Sequence, residues 1–342
     1  SEMCIRDSYS TASKTHQRIA ERLLERFTLT KAEMDAISAP DASVNASFLT
    51  AMDRLQTILD DTLILMDASD PETDDFSSES LPTSAKAARD FRERAASLLQ
   101  TSMQRLAYWC SAELRRLPLE GADVNMFLRE ALRRLAARED LFHSTMAAFA
   151  ETRAARWPEA FNMALVVGGP PPTYLPRPIE LYAHDALRYV SDMLAWIHQA
   201  IASERELVTS LFSLLSIPGR SAPRVLDKPA EPENDLALVI SAHGIEPKVL
   251  EMLIHRVLDR SMAGCCRPLR KRVQQTISAQ RDATLILRLY FVLSFYRITI
   301  QHTLRESSPL CVTLNEYVRT HAKLTQGFII LPTLLLSMRC NS

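Results

Sequence analysis

The sequence predicts an all-α fold, an elongated stack of antiparallel helices with no sheet. Three observations carry this expectation. Apolar residues recur at alternating spacings of three and four along most of the chain, the period of a helix face. No alternation of apolar and polar residues persists long enough to make a strand. Glycine is scarce, with seven in 342 residues, about a third of its ~7% average share. Strand-rich and nucleotide-binding folds need glycine at turns and phosphate loops. No fixed period recurs, so a solenoid of TPR or HEAT type is not supported.

The length leaves room for one large or two ordinary domains and a sizeable core. Hydrophobic residues make up 47% and charged residues 24%, a globular rather than a disordered composition. The net charge of −1 gives no global field towards nucleic acid or anionic membrane. Six scattered cysteines without a CxxC pair argue against a disulfide scaffold or zinc ribbon and fit a reducing cytosolic setting. No secretory signal is visible, and no apolar run reaches about 18 residues. The nearest candidate, Gly327 to Met338, is too short, and Pro332 interrupts it.

Taken in order, Ser1 to Ser8 (SEMCIRDS) resembles a translated sequencing adapter, and residues 1–13 are set aside. Residues 14–68 form the N-terminal helices. Ile19, Leu23, Leu24 and Phe27 share one face of the first. Thr30-Lys31-Ala32-Glu33 has capping-box spacing and opens a short second helix that stops before Pro40. Phe48, Met52, Leu55, Leu59, Leu63 and Met66 mark the third. Residues 69–84, acidic and serine-rich with Pro71 and Pro82, read as a linker.

A central bundle is expected over 85–216. Leu99, Met103, Leu106, Cys110, Leu114 and Leu117 mark one helix, ended by Pro118. Leu128, Leu132, Leu135, Phe142, Met146 and Phe149 mark another, bent or restarted at Trp157-Pro158 and broken at Gly168-Gly169 and the three prolines that follow. The central helix then runs 185–216, barred behind by Pro176 and Pro178 and capped by Asp185. Its row is Leu187, Val190, Leu194, Ile197, Ile201, Val208, Leu211 and Leu215, with Glu204 its only polar member. This helix is expected to be the longest or second-longest and to bury Leu194 and Ile197, with Gln199 facing away. A proline-rich loop, 217–234, precedes a second bundle over 235–324. There Pro247 opens a helix striped by Leu250, Leu253 and Val257, and Leu285, Leu289, Val292, Tyr296 and Ile300 mark a later one. The terminal segment 325–342 is set aside.

Candidate chemistry is thin. His184-Asp185, with His143 and Asp192 or Asp259, fits the ligand set of an all-α metal phosphohydrolase, but helix capping already accounts for Asp185. Cys265 and Cys266 diverge by about 100° on a helix, which does not suit a shared zinc. The basic run Arg267, Arg270, Lys271 and Arg272 would lower a nearby thiol pKa, or meet anionic lipid or an acidic partner face, against the simpler readings of packing and a solvated helix face. Gly168-Gly169 lacks the Lys-Ser/Thr of a phosphate loop, and no HExxH or GxSxG occurs. Trp109 and Trp196 fall on or beside apolar stripes and read as core. Nothing asks for a cofactor.

Arg177-Pro178-Ile179-Glu180, Ala183-His184-Asp185, Leu187-Arg188-Tyr189-Val190 and Asp192-Met193-Leu194-Ala195-Trp196 resemble the central signature of subunit 6 of the conserved oligomeric Golgi complex. Cys266-Arg267-Pro268-Leu269 and the helix after it resemble that family too, as do Arg22 to Met34 and Leu98 to Glu113. The resemblance runs from about residue 14 to about 324. It implies a helical-rod architecture shared with exocyst-type tethers, with most of the family's N-terminal coiled coil and its C-terminal part lying outside this chain. It further implies a structural subunit in intra-Golgi retrograde vesicle transport, supporting Golgi organisation and glycosylation. The implied partners are subunits 5, 7 and 8, with SNAREs and Rab GTPases. The implied location is peripheral, on the cytosolic face of Golgi membranes. No catalytic residue, metal, cofactor or nucleic acid is implied, and the signature residues would serve structure or interaction. Another helical scaffold or coiled-coil protein shares the periodicity, and the metal phosphohydrolase is the enzymatic alternative.

Overall fold

The computed structural model describes residues 17–18, 20–39, 43–67, 83–121, 123–169, 176–215 and 247–320. Among them every regular element is a helix and no strand occurs. The segments expected as artefact, proline-rich loop and untrusted terminus lie outside the described residues, as does the expected linker up to residue 82. The chain divides into two compact units, Ser1–Trp109 and Cys110–Ser342.

The first unit holds α1 (residues 20–27), α2 (Lys31–Ser38), α3 (Ala46–Asp67) and α4 (Thr83–Arg116) as far as Trp109. The capping box forms as expected: the Thr30 hydroxyl accepts from the Glu33 N–H at 3.3 Å, and the Glu33 carboxylate accepts from the Thr30 N–H at 2.8 Å. At the other end of α2, Arg105 Nη1 donates to the carbonyls of Ile37 (3.1 Å) and Ala39 (3.0 Å), groups that a helix terminus leaves without partners. Phe48, Met52 and Leu55 of α3 are buried, after which the row shifts to Ile58 and Thr62 and leaves Leu63 exposed. In α1 only Phe27 is buried, stacked on Phe91 at 6.1 Å, while Leu23 and Leu24 face solvent. The helix is held by its last turn instead. Arg26 forks onto both oxygens of Asp61 at 2.8 Å, and Arg54 donates to the carbonyls of Glu25 and Arg26. The Arg26 fork holds the Asp61 carboxyl below its usual range.

The second unit holds the rest of α4, then α5 (Met126–Leu135), α6 (Glu139–Val166), a 3₁₀ turn (Ile179–Tyr182), α7 (Ala186–Leu211), α8 (Pro247–Met262), a 3₁₀ turn (Ala263–Cys265), α9 (Cys266–Ser278), α10 (Ala283–Gln301) and α11 (residues 309–320). α6 and α7 are its axis: α6 packs on α5, α7 and α8, and α7 also meets α5, α8, α9 and α10.

Two boundaries differ from the sequence expectation. The helix expected across Leu128–Phe149 is two helices, interrupted at residues 136–138. Arg133 and Arg134 close α5, and Glu139 and Asp140 open α6, each pair at the terminus whose partial charge it offsets. Conversely, Trp157-Pro158 does not end α6, which runs through Pro158. Proline has no N–H to give the Ala154 carbonyl. That stretch of α6 is approached so closely by Gly264 that a Cβ there would lie 2.2 Å from the Ala154 oxygen and 2.6 Å from the Pro158 ring.

The central helix is also shorter than expected. At 26 residues it ranks behind α4 (34) and α6 (28) among the described helices, and it ends at Leu211. Residues 212–215 turn instead, with i→i−3 bonds from Ser213 and Leu215. Phe212 leaves the helix to pack on Phe142 at 6.1 Å. Val190, Leu194, Ile197, Ile201, Val208 and Leu211 are all buried, and Leu215 stays buried in the turn. Leu187 is only half-buried, its expected place being taken by Ala186 and Tyr189.

Truncating Leu194, which is 0% exposed, to alanine should cost about 2–5 kcal/mol. Truncating exposed Gln199 should cost about 0.5 kcal/mol or less. Parallel thermal melts check the contrast, and equal melting temperatures would contradict the packing. Gly264→Ala adds one methyl group where backbone already sits, and a loss of about 1–3 kcal/mol is expected. Denaturant unfolding reads it, and an unchanged midpoint would show that the 3₁₀ turn can move away from α6.

Candidate functional site

Glu204 is the charged member of an otherwise apolar row, and it is 0% exposed. Burying a lone carboxylate is costly enough that a partner is required. Arg153, itself 1% exposed, supplies it from α6. Its Nε lies 3.1 and 3.0 Å from the two Glu204 oxygens, and its Nη2 donates to Oε2 as well. Trp157 Nε1 donates to the same oxygen at 3.1 Å. Nη1 of Arg153 donates to the Pro118 carbonyl (2.8 Å) and Nη2 also to that of Leu119 (3.1 Å), and Arg156 Nη1 donates to the Leu117 carbonyl at 2.7 Å. The rings of Phe149 and Trp157 lie 5.8 and 5.6 Å from the guanidinium carbon. A carboxylate so fully engaged and shut off from water is not arranged to move protons. It locks α6, α7 and the segment after α4 together. Sequence reasoning marked Glu204 as the odd member of its row but not its partner, because nothing local distinguishes Arg153 from the other arginines of α6.

Beside this lock, α6 and α7 open a groove of about 800 Å³. Its floor is made by Ala160, Ala164, Ala195 and Trp196, and its far end by Gly168, Gly169 and residues 176–182. Gly168 ends α6 with φ +87°, its N–H returning to the Met163 carbonyl at 2.9 Å. A Cβ on it would lie 2.5 Å from the Pro176 oxygen, so only glycine lets the incoming chain pass. Gly169 then donates to that oxygen at 2.8 Å.

The signature residues divide between this groove and the core. Ile179, Tyr189, Met193 and Leu194 are buried, as is Leu269 in α9. Pro178 precedes the 3₁₀ turn, and Asp185 caps α7 by accepting from the N–H groups of Leu187 (3.1 Å) and Arg188 (3.2 Å). Arg177 and His184 are exposed. Arg188 stands over the Tyr182 ring at 3.4 Å and pairs with Asp192 at 3.6 Å. Trp196, expected as core, is half-buried: it packs on Trp157 and Phe161 and presents an edge to the groove; Trp109 is half-buried too. The two separated parts of the signature meet where Arg272 of α9 donates to Glu180 at 2.9 and 3.2 Å.

The other chemical candidates are not brought together. His143 lies 3.3 Å from Glu139, and Asp259 pairs with Arg305 at 2.6 Å. No group of three or more potential metal ligands occurs among the described residues. Burial pushes the Cys265 thiol up to about 12 and the Cys266 thiol to about 11, so the basic run does not activate them. Arg267 is exposed and Pro268 half-buried.

The family model described as conserved oligomeric Golgi complex subunit 6, C-terminal, matches residues 85–325. The chain belongs to that family. Subunit 6 of Bos taurus is 30% identical over 307 residues, covering 90% of this chain and 40% of the relative. Subunit 6 of Arabidopsis thaliana is 31% identical over 299 residues, covering 87% and 39%. Subunit 6 of Ajellomyces capsulatus is 29% identical over 329 residues, covering 94% and 47%. The chain thus spans less than half the length of these curated relatives. No solved structure matches it. The matched region contains both the Arg153–Glu204 lock and the whole groove.

Removing one partner of the lock leaves a buried charge alone, so Glu204→Ala should cost about 3–5 kcal/mol. Replacing both residues by apolar ones of similar size, Arg153→Met with Glu204→Leu, should recover most of that loss. Chemical denaturation of Arg153→Met, Glu204→Leu and their double variant measures the coupling. Additive losses would mean that the pair does not act as a unit.

Proposed function

We propose that this chain works as a structural part of a Golgi vesicle-tethering complex, acting in intra-Golgi retrograde transport and so in Golgi organisation and glycosylation. The observation that carries the reading is the match of the subunit 6 family model across residues 85–325. The interior is consistent with it, because the Arg153–Glu204 pair buried among the described residues serves packing. In this reading the chain does no chemistry. Its helices span distance and offer faces to other helices. Subunits 5, 7 and 8 of the complex are its neighbours, SNAREs and Rab GTPases are reached through the assembly, and attachment to the cytosolic face of the Golgi is peripheral.

The signature residues then have two tasks. Ile179, Tyr189, Met193, Leu194 and Leu269 hold the second unit together. Arg177 and Trp196, at the groove, are available to a neighbouring subunit.

Affinity capture of the tagged full-length protein from cytosol, with partners identified by mass spectrometry, tests the reading. Recovery of subunits 5, 7 and 8 in constant proportion is expected. Capture that returns none of the Golgi complex subunits, under conditions where they are intact, would sink it.

A further inference from the structure

α10 has two apolar faces. One is buried: Ile286, Leu289, Leu293 and Ile300 lie inside the unit, where α10 packs on α7. The other is open. Leu287, Phe291, Phe295 and Ile298 are 39%, 61%, 62% and 50% exposed. No other described helix carries more than two exposed large apolar residues. At about 100° per residue these four fall within about 80° of one another, in a single row about 16 Å long. Their spacing of four, four and three is that of a side-chain ridge that fits the groove of a facing helix.

The surroundings of the row narrow its occupant. α10 is long and apolar enough by length and composition to cross a membrane, but its inner face is already packed on protein. Polar Thr284 and exposed His302 close the row at its two ends. The helix contains Arg288 and Arg297 and no acidic residue. Arg288 stands exposed at the edge of the row, with no ion pair to it among the described residues.

We propose that the outer row of α10 is a docking seam for an amphipathic helix from another subunit of the complex, apolar along one stripe and acidic along the edge that meets Arg288. The proposal rests on the reading of this chain as a complex subunit. Phe291 and Phe295 are its anchors, since aromatic side chains dominate the energetics of helix-in-groove contacts. Arg288 sets the orientation by charge.

The test uses the full-length protein, with Phe295→Asp and Arg288→Glu as variants and a photo-crosslinking amino acid at position 295 as a third. Both substituted side chains are exposed, so melting temperatures should match the parent. In reconstitution with the purified subunits of the complex, Phe295→Asp should weaken binding of one subunit at least about tenfold. Arg288→Glu should weaken the same subunit and no other. The crosslink should land on a helical peptide of that subunit bearing acidic residues beside its apolar stripe. If the parent binds its subunits and both variants bind them equally well, the seam is refuted while the complex-subunit reading stands. A crosslink to the protein's own chain, or loss of flotation with phosphatidylserine vesicles while every subunit stays bound, would likewise overturn the proposal. If the parent itself binds no subunit, the underlying reading fails first.

Discussion

The second unit depends on one buried ion pair. Arg153 and Glu204 are both closed to solvent, so each charge is tolerable only in the other's presence. The guanidinium also gathers the carbonyls of Pro118 and Leu119, so a single side chain fixes α6 against α7 and against the chain leaving α4. An apolar pair of the same volume would pack as well, because desolvation offsets most of the attraction. What an apolar pair lacks is register. Sliding α7 along α6 by one turn, about 5.4 Å, would bury two unmatched charges, whereas a leucine row slid by one turn meets another leucine.

Backbone contacts set the spacing that the ion pair sets in register. α6 carries Pro158 in its interior, and Gly264 comes against the Ala154 carbonyl and the proline ring at a distance no side chain allows. At the far end of the same helix, Gly168 takes a left-handed conformation and lets Pro176 and Arg177 cross over it. Gly168 and Gly264 thus stand where a helix end and a turn must touch another backbone. These approaches also shape the groove, whose alanine and glycine lining follows from how closely residues 176–182 return to α6 and α7.

Much of this was legible in the sequence. The helical class, the Thr30–Glu33 box, the Asp185 cap and the buried positions of α7 all follow from local patterns whose physics is local too. The misreadings have a common cause. Pro158 reads as a bend or a restart; α6 runs on through it, and the sequence does not show that Gly264 packs against that turn. The real break at residues 136–138 is written in the charges, two arginines followed by two carboxylates, but the apolar row resumes in phase at Phe142, seven residues after Leu135. Leu23 and Leu24 looked buried by period, yet α1 is held through Arg26, Arg54 and Phe27 at its end. Arg153 was not found at all, since a buried arginine is defined by a carboxylate 51 positions away.

The signature residues show why a family can be legible where a site is not. Most of them carry the fold: Asp185 caps, Glu180 and Arg272 join two segments, and Ile179, Tyr189, Met193 and Leu194 fill the core. Those demands fix residue types strongly, because a cap needs an acceptor and a packed helix needs a given volume. They would do so whatever the protein bound. Arg188 is exposed, but Tyr182 and Asp192 already satisfy it within its own turn. Arg177 is different: it is exposed, it stands at the rim of the groove, and no contact within the described fold accounts for its charge. A residue whose type the fold does not require is where information about a partner can reside. By the same reasoning the outer row of α10 is where the proposed seam would leave its mark, for side chains 39–62% exposed are larger and more apolar than a solvated helix face requires.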